Sequence, residues 1–196
     1  MRAPPEREPS QSVPERFATA SLRDYSPSQE IGFAASWLAH LQAGRTGLPG
    51  LHLYGPIGVG KSHLAAALAN EIPGAQWFSM HRLFHSVRYS YLDQSHRRSP
   101  EEVARIMAGS PLIVLDDLGR PRLRTQWERD LTEMIVAELY DDRALVISTA
   151  NLSIREMARQ SSLPARALTC LTEMQSPLEI PGPSRRRPPA QNLAIR

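Results

Sequence analysis

The sequence predicts an α/β fold in which helices cover both faces of a mostly parallel β-sheet. Short apolar runs alternate along the chain with longer segments that begin with helix-capping patterns. Two of the runs, 112–115 (LIVL) and 144–147 (ALVI), are apolar at every position, as strands covered on both faces are. Strands that alternate with helices pair in parallel through right-handed crossovers, which gives this fold class.

Four strands and six helices are predicted. The strands lie at 51–54, 76–79, 112–115 and 144–148, and the helices lie near 27–42, 61–72, 81–92, 100–108, 126–140 and 153–160. Four helix starts carry a capping box, in which a Ser or Thr hydroxyl accepts the N–H three residues on while a Glu or Gln reaches back. These boxes pair Ser26 with Gln29, Ser99 with Glu102, Thr125 with Glu128, and Ser153 with Glu156.

The composition is that of a folded protein in a reducing compartment. Of 196 residues, 41% are hydrophobic and 22% are charged, and 23 basic against 20 acidic side chains give a net charge of +3. The single cysteine, Cys170, excludes an intrachain disulfide and a multi-cysteine zinc site. No apolar run is long enough for a membrane span or a signal peptide. These features predict a cytoplasmic protein with no membrane partner.

Proline and charge divide the chain into three regions. Prolines at 4, 5, 9 and 14 predict a flexible arm over 1–15, which is followed by one folded domain over 16–180. The segment 181–196 is a Pro/Arg-rich tail with four arginines and no acid, so that 19 basic and 20 acidic side chains precede it. The basic balance therefore belongs to the tail and not to the folded domain.

The segment 55–62 (GPIGVGKS) predicts a phosphate-binding loop, because it fits G-x-x-x-x-G-K-[ST] between a predicted strand and a predicted helix. Its glycines allow backbone N–H groups to surround phosphate oxygens at the positive end of the helix. Lys61, the only lysine of the chain, would reach the β- and γ-phosphates, and the Ser62 hydroxyl would ligate Mg²⁺. The residues predicted to contact ATP are Gly55, Pro56, Ile57, Gly58, Val59, Gly60, Lys61, Ser62 and His63.

Two later strands end in polar side chains, which should meet the loop at the same sheet edge. Asp116 and Asp117 follow the apolar run 112–115. We expect Asp116 to hold Mg²⁺ through water and Asp117 to polarise the attacking water. Asn151 follows the next strand, where it either hydrogen-bonds the γ-phosphate or the attacking water, or only forms the turn before the next helix.

Together these motifs resemble the AAA+ ATPases of bacterial replication initiation, in particular the DnaC-type helicase loaders and the related IstB-type transposition ATPases. The resemblance covers about residues 14–186. The segments that carry it are VPERFATASLRDY (13–25), LYGPIGVGKSHLAAALAN (53–70), LIVLDDLG (112–119), STANLS (148–153), LPARALTCLTEM (163–174) and GPSRRR (182–187).

The resemblance implies a P-loop NTPase of the AAA+ (ASCE) type, a three-layer sandwich with about five strands and little or no C-terminal lid. It implies that Asn151 is the sensor I residue and that Arg166 is the arginine finger, which reaches the γ-phosphate in a neighbouring subunit of a nucleotide-dependent homo-oligomer. The implied partners are the replicative DNA helicase and single-stranded DNA. The residues expected to carry slow hydrolysis of ATP to ADP and phosphate are Lys61, Asp116, Asp117, Asn151 and Arg166.

Two departures from the family pattern keep other functions open. Cys170 stands where the sensor II residue would be arginine, and Asp117 is one methylene shorter than the glutamate of most AAA+ proteins. One alternative is therefore an ATP-gated adaptor for a transposase, with little hydrolysis of its own. A small-molecule kinase is a third hypothesis, which the sensor-like Asn151 and the lack of an arginine-rich lid disfavour.

Basic side chains near the predicted active edge of the sheet allow two interpretations, of which one is DNA binding. In a ring of subunits they would line a central channel that follows the phosphates of single-stranded DNA. Alternatively they are solvated loop charges. The arginines concerned are Arg97, Arg98, Arg120, Arg122 and Arg124.

Overall fold

Five strands form one parallel sheet in the computed structural model, which describes residues 13–90, 107, 109–119, 125–160 and 162–185. The strands are β1 (Gly50–Tyr54), β2 (Gln76–Ser79), β3 (Ile113–Asp116), β4 (Val146–Ala150) and β5 (Gln175–Glu179). Their order in the sheet is β2-β3-β4-β1-β5, and each neighbouring pair is parallel. The predicted mostly parallel sheet of about five strands is confirmed.

Six α-helices accompany the sheet within the described residues. They are α1 (Gln29–Gln42), α2 (Lys61–Asn70), α3 (Met80–Ser90), α4 (Gln126–Asp141), α5 (Ile154–Arg159) and α6 (Ala165–Met174). Single 3₁₀ turns at Glu15–Phe17 and Leu22–Asp24 precede α1. The predicted helix at 100–108, apart from Met107, and its capping box at Ser99 lie outside the described residues.

Apolar side chains on the two faces of the sheet form two separate cores. Along β3, Ile113 and Leu115 face the first core and Val114 faces the second, because successive side chains of a strand point to opposite faces. Helices α4 and α6 pack in the first core, and α1 and α2 pack in the second. Helices therefore cover both faces, as predicted, and the loops that follow β1, β3 and β4 lie at one edge of the sheet.

Three of the four predicted capping boxes lie within the described residues, and two of these three are present in the structure. The capping boxes of α4 and α5 are complete. The prediction at Ser26 is wrong, because α1 begins after Ser28, whose hydroxyl accepts from the Ile31 N–H at 3.3 Å. Ser28 has an extended backbone and is the N-cap, so Ser26 lies before the helix, next to the buried Tyr25 that donates its hydroxyl to the Gly60 carbonyl.

Strand β4 begins and ends two residues later than predicted, so Ser148 and Thr149 lie inside the sheet. Both hydroxyls are buried and donate hydrogen bonds, Ser148 to Gln175 and Thr149 to Asp116, which makes their burial acceptable. Neither α6 nor β5 is predicted as an element. β5 contains Pro177, which a strand tolerates at the edge of a sheet, where β5 lies.

A buried polar network crosses β1, β4 and β5. His52 of β1 is fully buried, with Nδ1 2.8 Å from Ser148 Oγ and Nε2 3.0 Å from the Leu152 carbonyl oxygen. Ser148 Oγ also lies 2.8 Å from Gln175 Oε1, and the Gln175 amide donates to main-chain carbonyls of β1 and β4 at 3.2 and 3.0 Å. Burial lowers the pKa of His52 to about 4, because the charged imidazolium loses its hydration.

We expect His52 to make the protein less stable as the pH falls from about 6.5 to about 4. The unfolded chain protonates this histidine near pH 6.5, whereas the folded chain resists protonation until about pH 4. Its contribution to the free energy of unfolding is therefore complete above pH 6.5 and is lost below it, by about 3 kcal/mol in total. Urea unfolding at several pH values measures this, with His52→Gln as a control that cannot titrate; parallel pH profiles for the two proteins would contradict it.

Candidate functional site

The phosphate loop connects β1 to α2 at the carboxyl edge of the sheet. Gly60 precedes α2 with φ 108°, and Gly58 has φ 88°, both in the left-handed region that favours glycine. A Cβ atom at Gly58 would lie 2.2 Å from Ser184 Oγ. The backbone path of the loop therefore requires glycine at these two positions.

Lys61 is buried at the first position of α2, and its ammonium connects two separate parts of the chain. Nζ donates to the carbonyl oxygens of Gly55 and Pro56 at 2.8 Å each and to Oδ1 of Asn151 at 3.1 Å. Because Asn151 directly follows β4, the fold brings the predicted sensor to the predicted phosphate ligand. The contact brings the phosphate loop and the segment after β4 within hydrogen-bonding distance of each other.

Asp116, the last residue of β3, is buried beside the phosphate loop. Its Oδ1 accepts from the hydroxyls of Ser62 and Thr149, at 2.7 Å each. Ser62 and Asp116 thus offer a hydroxyl and a carboxylate oxygen side by side, and such hard oxygen ligands are the ones that Mg²⁺ prefers. The donor set of these two residues fits a magnesium ion.

Asp117 occupies a different environment from its neighbour. Its backbone is left-handed, with φ 65°, a conformation that a short polar residue such as Asp adopts more readily than most others. Its N–H donates to Thr149 Oγ1 at 2.9 Å, which fixes this turn at the end of β3. The Asp117 residue is half-buried, whereas Asp116 is buried.

Thr149 is a site residue that the sequence did not reveal. Its hydroxyl oxygen contacts both the Asp116 carboxylate and the Asp117 N–H, and so it orients the two acids relative to each other. The register of β3 against β4 brings Thr149 next to the two acids, because the strands pair in parallel and end together at this edge. That register is not visible in the sequence alone.

Arg166 and Cys170 lie on α6. This helix starts a few residues after α5 and ends where β5 begins, so its first turn lies toward the sheet edge that carries the phosphate loop. Arg166, the second residue of α6, is exposed. Cys170 is buried in the first core, and burial raises the pKa of its thiol. Position 170 is therefore a core position in this structure.

The two ends of the described domain meet at the phosphate loop, which the sequence analysis did not predict. Tyr25 Oη donates to the Gly60 carbonyl at 2.9 Å, and the Arg185 guanidinium lies 4.8 Å from the centre of the Tyr25 ring. The Arg185 N–H donates to the Gly58 carbonyl at 2.8 Å. A cavity of about 150 Å³ lies at this junction. The sequence signals for the two ends were the resemblances carried by VPERFATASLRDY and GPSRRR.

His63, which is predicted to contact ATP, directs its side chain to the N-terminal segment. Its Nδ1 lies 3.2 Å from Tyr25 Oη, and its Nε2 lies 3.4 Å from the Asp24 carboxylate. The side chain is on the α2 turn that begins at Lys61, but these contacts occupy both of its ring nitrogens. In this structure the His63 side chain therefore connects the start of α2 to the N-terminal segment.

The remaining predicted residues lie partly within and partly outside the described part of the chain. In the loop, Ile57 is 63% exposed and Val59 is buried. The five arginines considered for DNA contact lie outside the described residues, as does the tail from residue 186 onward. Within the described part of the chain, no helix is long and apolar enough to cross a membrane.

The order of the strands identifies the class of protein. β4 lies between the phosphate-loop strand β1 and the acidic strand β3, and a strand inserted at this place distinguishes the P-loop NTPases that include the AAA+ domains. Asn151 at the end of that inserted strand contacts Lys61, so the chain is an AAA+ domain of the P-loop ATP-binding class. More specifically, it belongs to the family of IstB-like ATP binding proteins, whose model matches residues 44–176.

Similar proteins include two helicase loaders. The replicative helicase loader DnaI of Bacillus subtilis (strain 168) is 26% identical over 154 residues, which cover 71% of this chain and 48% of DnaI. The chain therefore spans about half the length of this curated relative. The crystal structure of the DnaC helicase loader matches with a TM-score of 0.69 and 26% identity, and covers 85% of this chain and 99% of that one.

A more distant structure supports the fold alone. The AMPPCP-bound DnaA of Aquifex aeolicus matches with a TM-score of 0.67 and 15% identity, over 83% of this chain and 50% of that one. At this identity the likeness concerns the arrangement of strands and helices. It agrees with the three-layer sandwich described above.

Proposed function

We propose that the protein is an Mg²⁺-dependent ATPase that assembles with nucleotide and loads a replicative helicase onto single-stranded DNA. The hydrogen bond between Lys61 and Asn151 is the observation that carries the ATPase part of this proposal. It joins the phosphate loop to the polar end of a neighbouring strand. A residue placed in this way can respond to whether a γ-phosphate is present.

Each site residue has a distinct role in this proposal. The Lys61 ammonium and the loop N–H groups bind the phosphates, and Ser62 and Asp116 hold magnesium, which neutralises phosphate charge when bound. Asp117 orients a water molecule in line with the γ-phosphate and accepts its proton. Asn151 hydrogen-bonds the γ-phosphate or that water. Attack of the water breaks the bond between the β- and γ-phosphates and gives ADP and phosphate.

The partner part of the proposal is supported by the relatives. DnaI is named as a replicative helicase loader and DnaC as a helicase loader, and both are similar to this chain over most of its described length. A replicative helicase is therefore favoured over a transposase. Arg166 is exposed toward the loop edge, where a neighbouring subunit can contact it, and this supports assembly into an oligomer.

The test of this function combines assembly with turnover. The protein is mixed with the replicative helicase of its host, with ATP or ADP and with single-stranded DNA, and size-exclusion chromatography and phosphate release are measured. We expect an ATP-dependent complex with the helicase and DNA-stimulated hydrolysis. In Asp117→Asn the complex should persist while turnover falls about 100-fold or more. Capture of a transposase without the helicase would overturn the loader assignment, and full turnover by Asp117→Asn would overturn the role of that acid.

A further inference from the structure

His52 lies at the centre of the sheet, yet it reaches the functional edge. It is the third residue of β1, three positions before the phosphate loop, and its side chain is fully buried. The parallel register places it opposite Ser148 of β4. Its ring stacks on Tyr54 with the centres 5.7 Å apart and the planes 15° apart. The histidine is thus held in a fixed orientation.

The outer nitrogen of this ring contacts the turn that carries Asn151. His52 Nε2 lies 3.0 Å from the carbonyl oxygen of Leu152, the residue directly after Asn151. A carbonyl oxygen only accepts, so the contact requires a proton on Nε2. With that proton, His52 ties the turn after β4 to β1, the strand that carries the phosphate loop. Asn151 in turn contacts Lys61 of the loop.

The network has fewer hydrogen atoms than contacts, so the hydrogen bond from His52 to the Leu152 carbonyl forms only in some arrangements of those hydrogens. Five contacts join His52, Ser148, Gln175 and three main-chain carbonyls. A neutral histidine, a serine and a glutamine amide supply one, one and two hydrogens, which is four in all. The Gln175 amide directs both of its hydrogens at carbonyls, so its orientation is fixed. One of the five contacts must therefore lack a hydrogen.

The position of the imidazole proton decides which contact lacks it, because the Ser148 hydroxyl donates to Gln175. If the imidazole proton lies on Nε2, it holds the Leu152 carbonyl, and the contact between Nδ1 and Ser148 lacks the hydrogen. If the proton lies on Nδ1, it faces Ser148, and Nε2 then faces the carbonyl with a lone pair. The turn is therefore held in the first of these two arrangements only.

We propose that His52 is a positioning residue for Asn151, which it holds in place through the Leu152 carbonyl when its proton is on Nε2. The proposal rests on the proposed ATPase function. His52 does not touch the reacting atoms. It acts by limiting the movement of the turn that presents the Asn151 amide to Lys61 and to a bound γ-phosphate. A loose turn would lower the turnover number more than nucleotide affinity, because Lys61 and the loop still bind the phosphates.

Two substitutions separate this role from a general role in folding. Glutamine places an amide N–H near the position of Nε2 and can still donate to the Leu152 carbonyl. Asparagine places its amide near the position of Nδ1, so it can reach Ser148 but not Leu152. We expect His52→Asn to lower kcat about tenfold, as misplacement of a catalytic group does, with KM for ATP within about twofold of the wild type. His52→Gln should retain kcat within about threefold.

A double-variant comparison tests whether the effect passes through Asn151. In the Asn151→Ala background, His52→Asn should cause no further loss of kcat, because the group that it positions is already absent. Equal losses of kcat in His52→Asn and His52→Gln, or an unchanged loss in the Asn151→Ala background, would overturn the proposal. Thermal unfolding of both single variants shows whether they are folded at the assay temperature.

A second readout does not depend on hydrolysis. Amide hydrogen exchange at residues 151–153 in the nucleotide-free protein should be faster in His52→Asn than in the wild type, and close to the wild type in His52→Gln. Faster exchange in the asparagine variant alone supports the tether even if the wild-type protein hydrolyses no ATP, an outcome that would overturn only the proposed ATPase function. Equal exchange in the two variants would overturn the tether while leaving the ATPase function intact.

Discussion

Replacing Lys61 with methionine is expected to weaken the binding of Mg·ATP about 100-fold or more. The ammonium is buried and lies within hydrogen-bonding distance of two loop carbonyls and Asn151. In the variant, phosphate oxygens bound by the loop would lack this positive charge. Removing one member of a buried charge pair costs several kcal/mol of binding free energy, and every 1.4 kcal/mol is about a tenfold change in affinity. Isothermal titration with ATP and magnesium measures the change directly.

Two further variants make this result specific. Lys61→Arg keeps the charge but replaces a compact ammonium with a wide planar group, so it should restore little of the affinity. Arg45→Met removes a cation from an exposed position outside the loop and should leave the affinity unchanged. ATP binding by Lys61→Met at the wild-type affinity would show that the loop is not the nucleotide site.

The parts of the site that could be predicted from the sequence depend on short local patterns. The phosphate loop is one continuous segment, and its glycines, Lys61 and Ser62 are set by backbone geometry and by the needs of phosphate. Asp116 was predictable because an apolar run that ends in acid places the carboxylate at the end of a strand. The same holds for the alternation of strands and helices, from which the parallel sheet follows.

The parts that could not be predicted depend on contacts between distant segments. Thr149 and His52 act through the register of β4 against its two neighbours, and a shift of two residues in the predicted strand hid the role of Thr149. Tyr25 and Arg185 meet the phosphate loop from opposite ends of the described chain. These contacts are set by tertiary packing, which a local pattern does not contain. At the start of α1 two capping signals lay two residues apart, and the structure uses Ser28 and not Ser26.

Arg166→Ala is expected to lower ATP turnover about 1,000-fold while ATP affinity changes by less than about threefold. An arginine that stabilises the charge of the transition state contributes a factor of this order to turnover. In this structure Arg166 is exposed on the first turn of α6, at the sheet edge of the phosphate loop, so it can act on a site in another subunit. Phosphate release and nucleotide titration measure the two quantities, and Arg159→Ala is the control for loss of an exposed arginine on the neighbouring helix.

Mixing two inactive variants decides whether Arg166 acts between subunits. Asp117→Asn removes the acid that orients water but keeps Arg166, and Arg166→Ala keeps that acid. In a mixed oligomer some sites combine the intact Asp117 of one subunit with the intact Arg166 of its neighbour, so activity should return on mixing. If both residues served the same subunit, no mixed site would be complete and the mixture would stay inactive. Recovery of turnover therefore requires both an oligomer and an arginine finger that crosses its interface. If the mixture assembles but hydrolyses no ATP, Arg166 does not act in the active site of the neighbouring subunit.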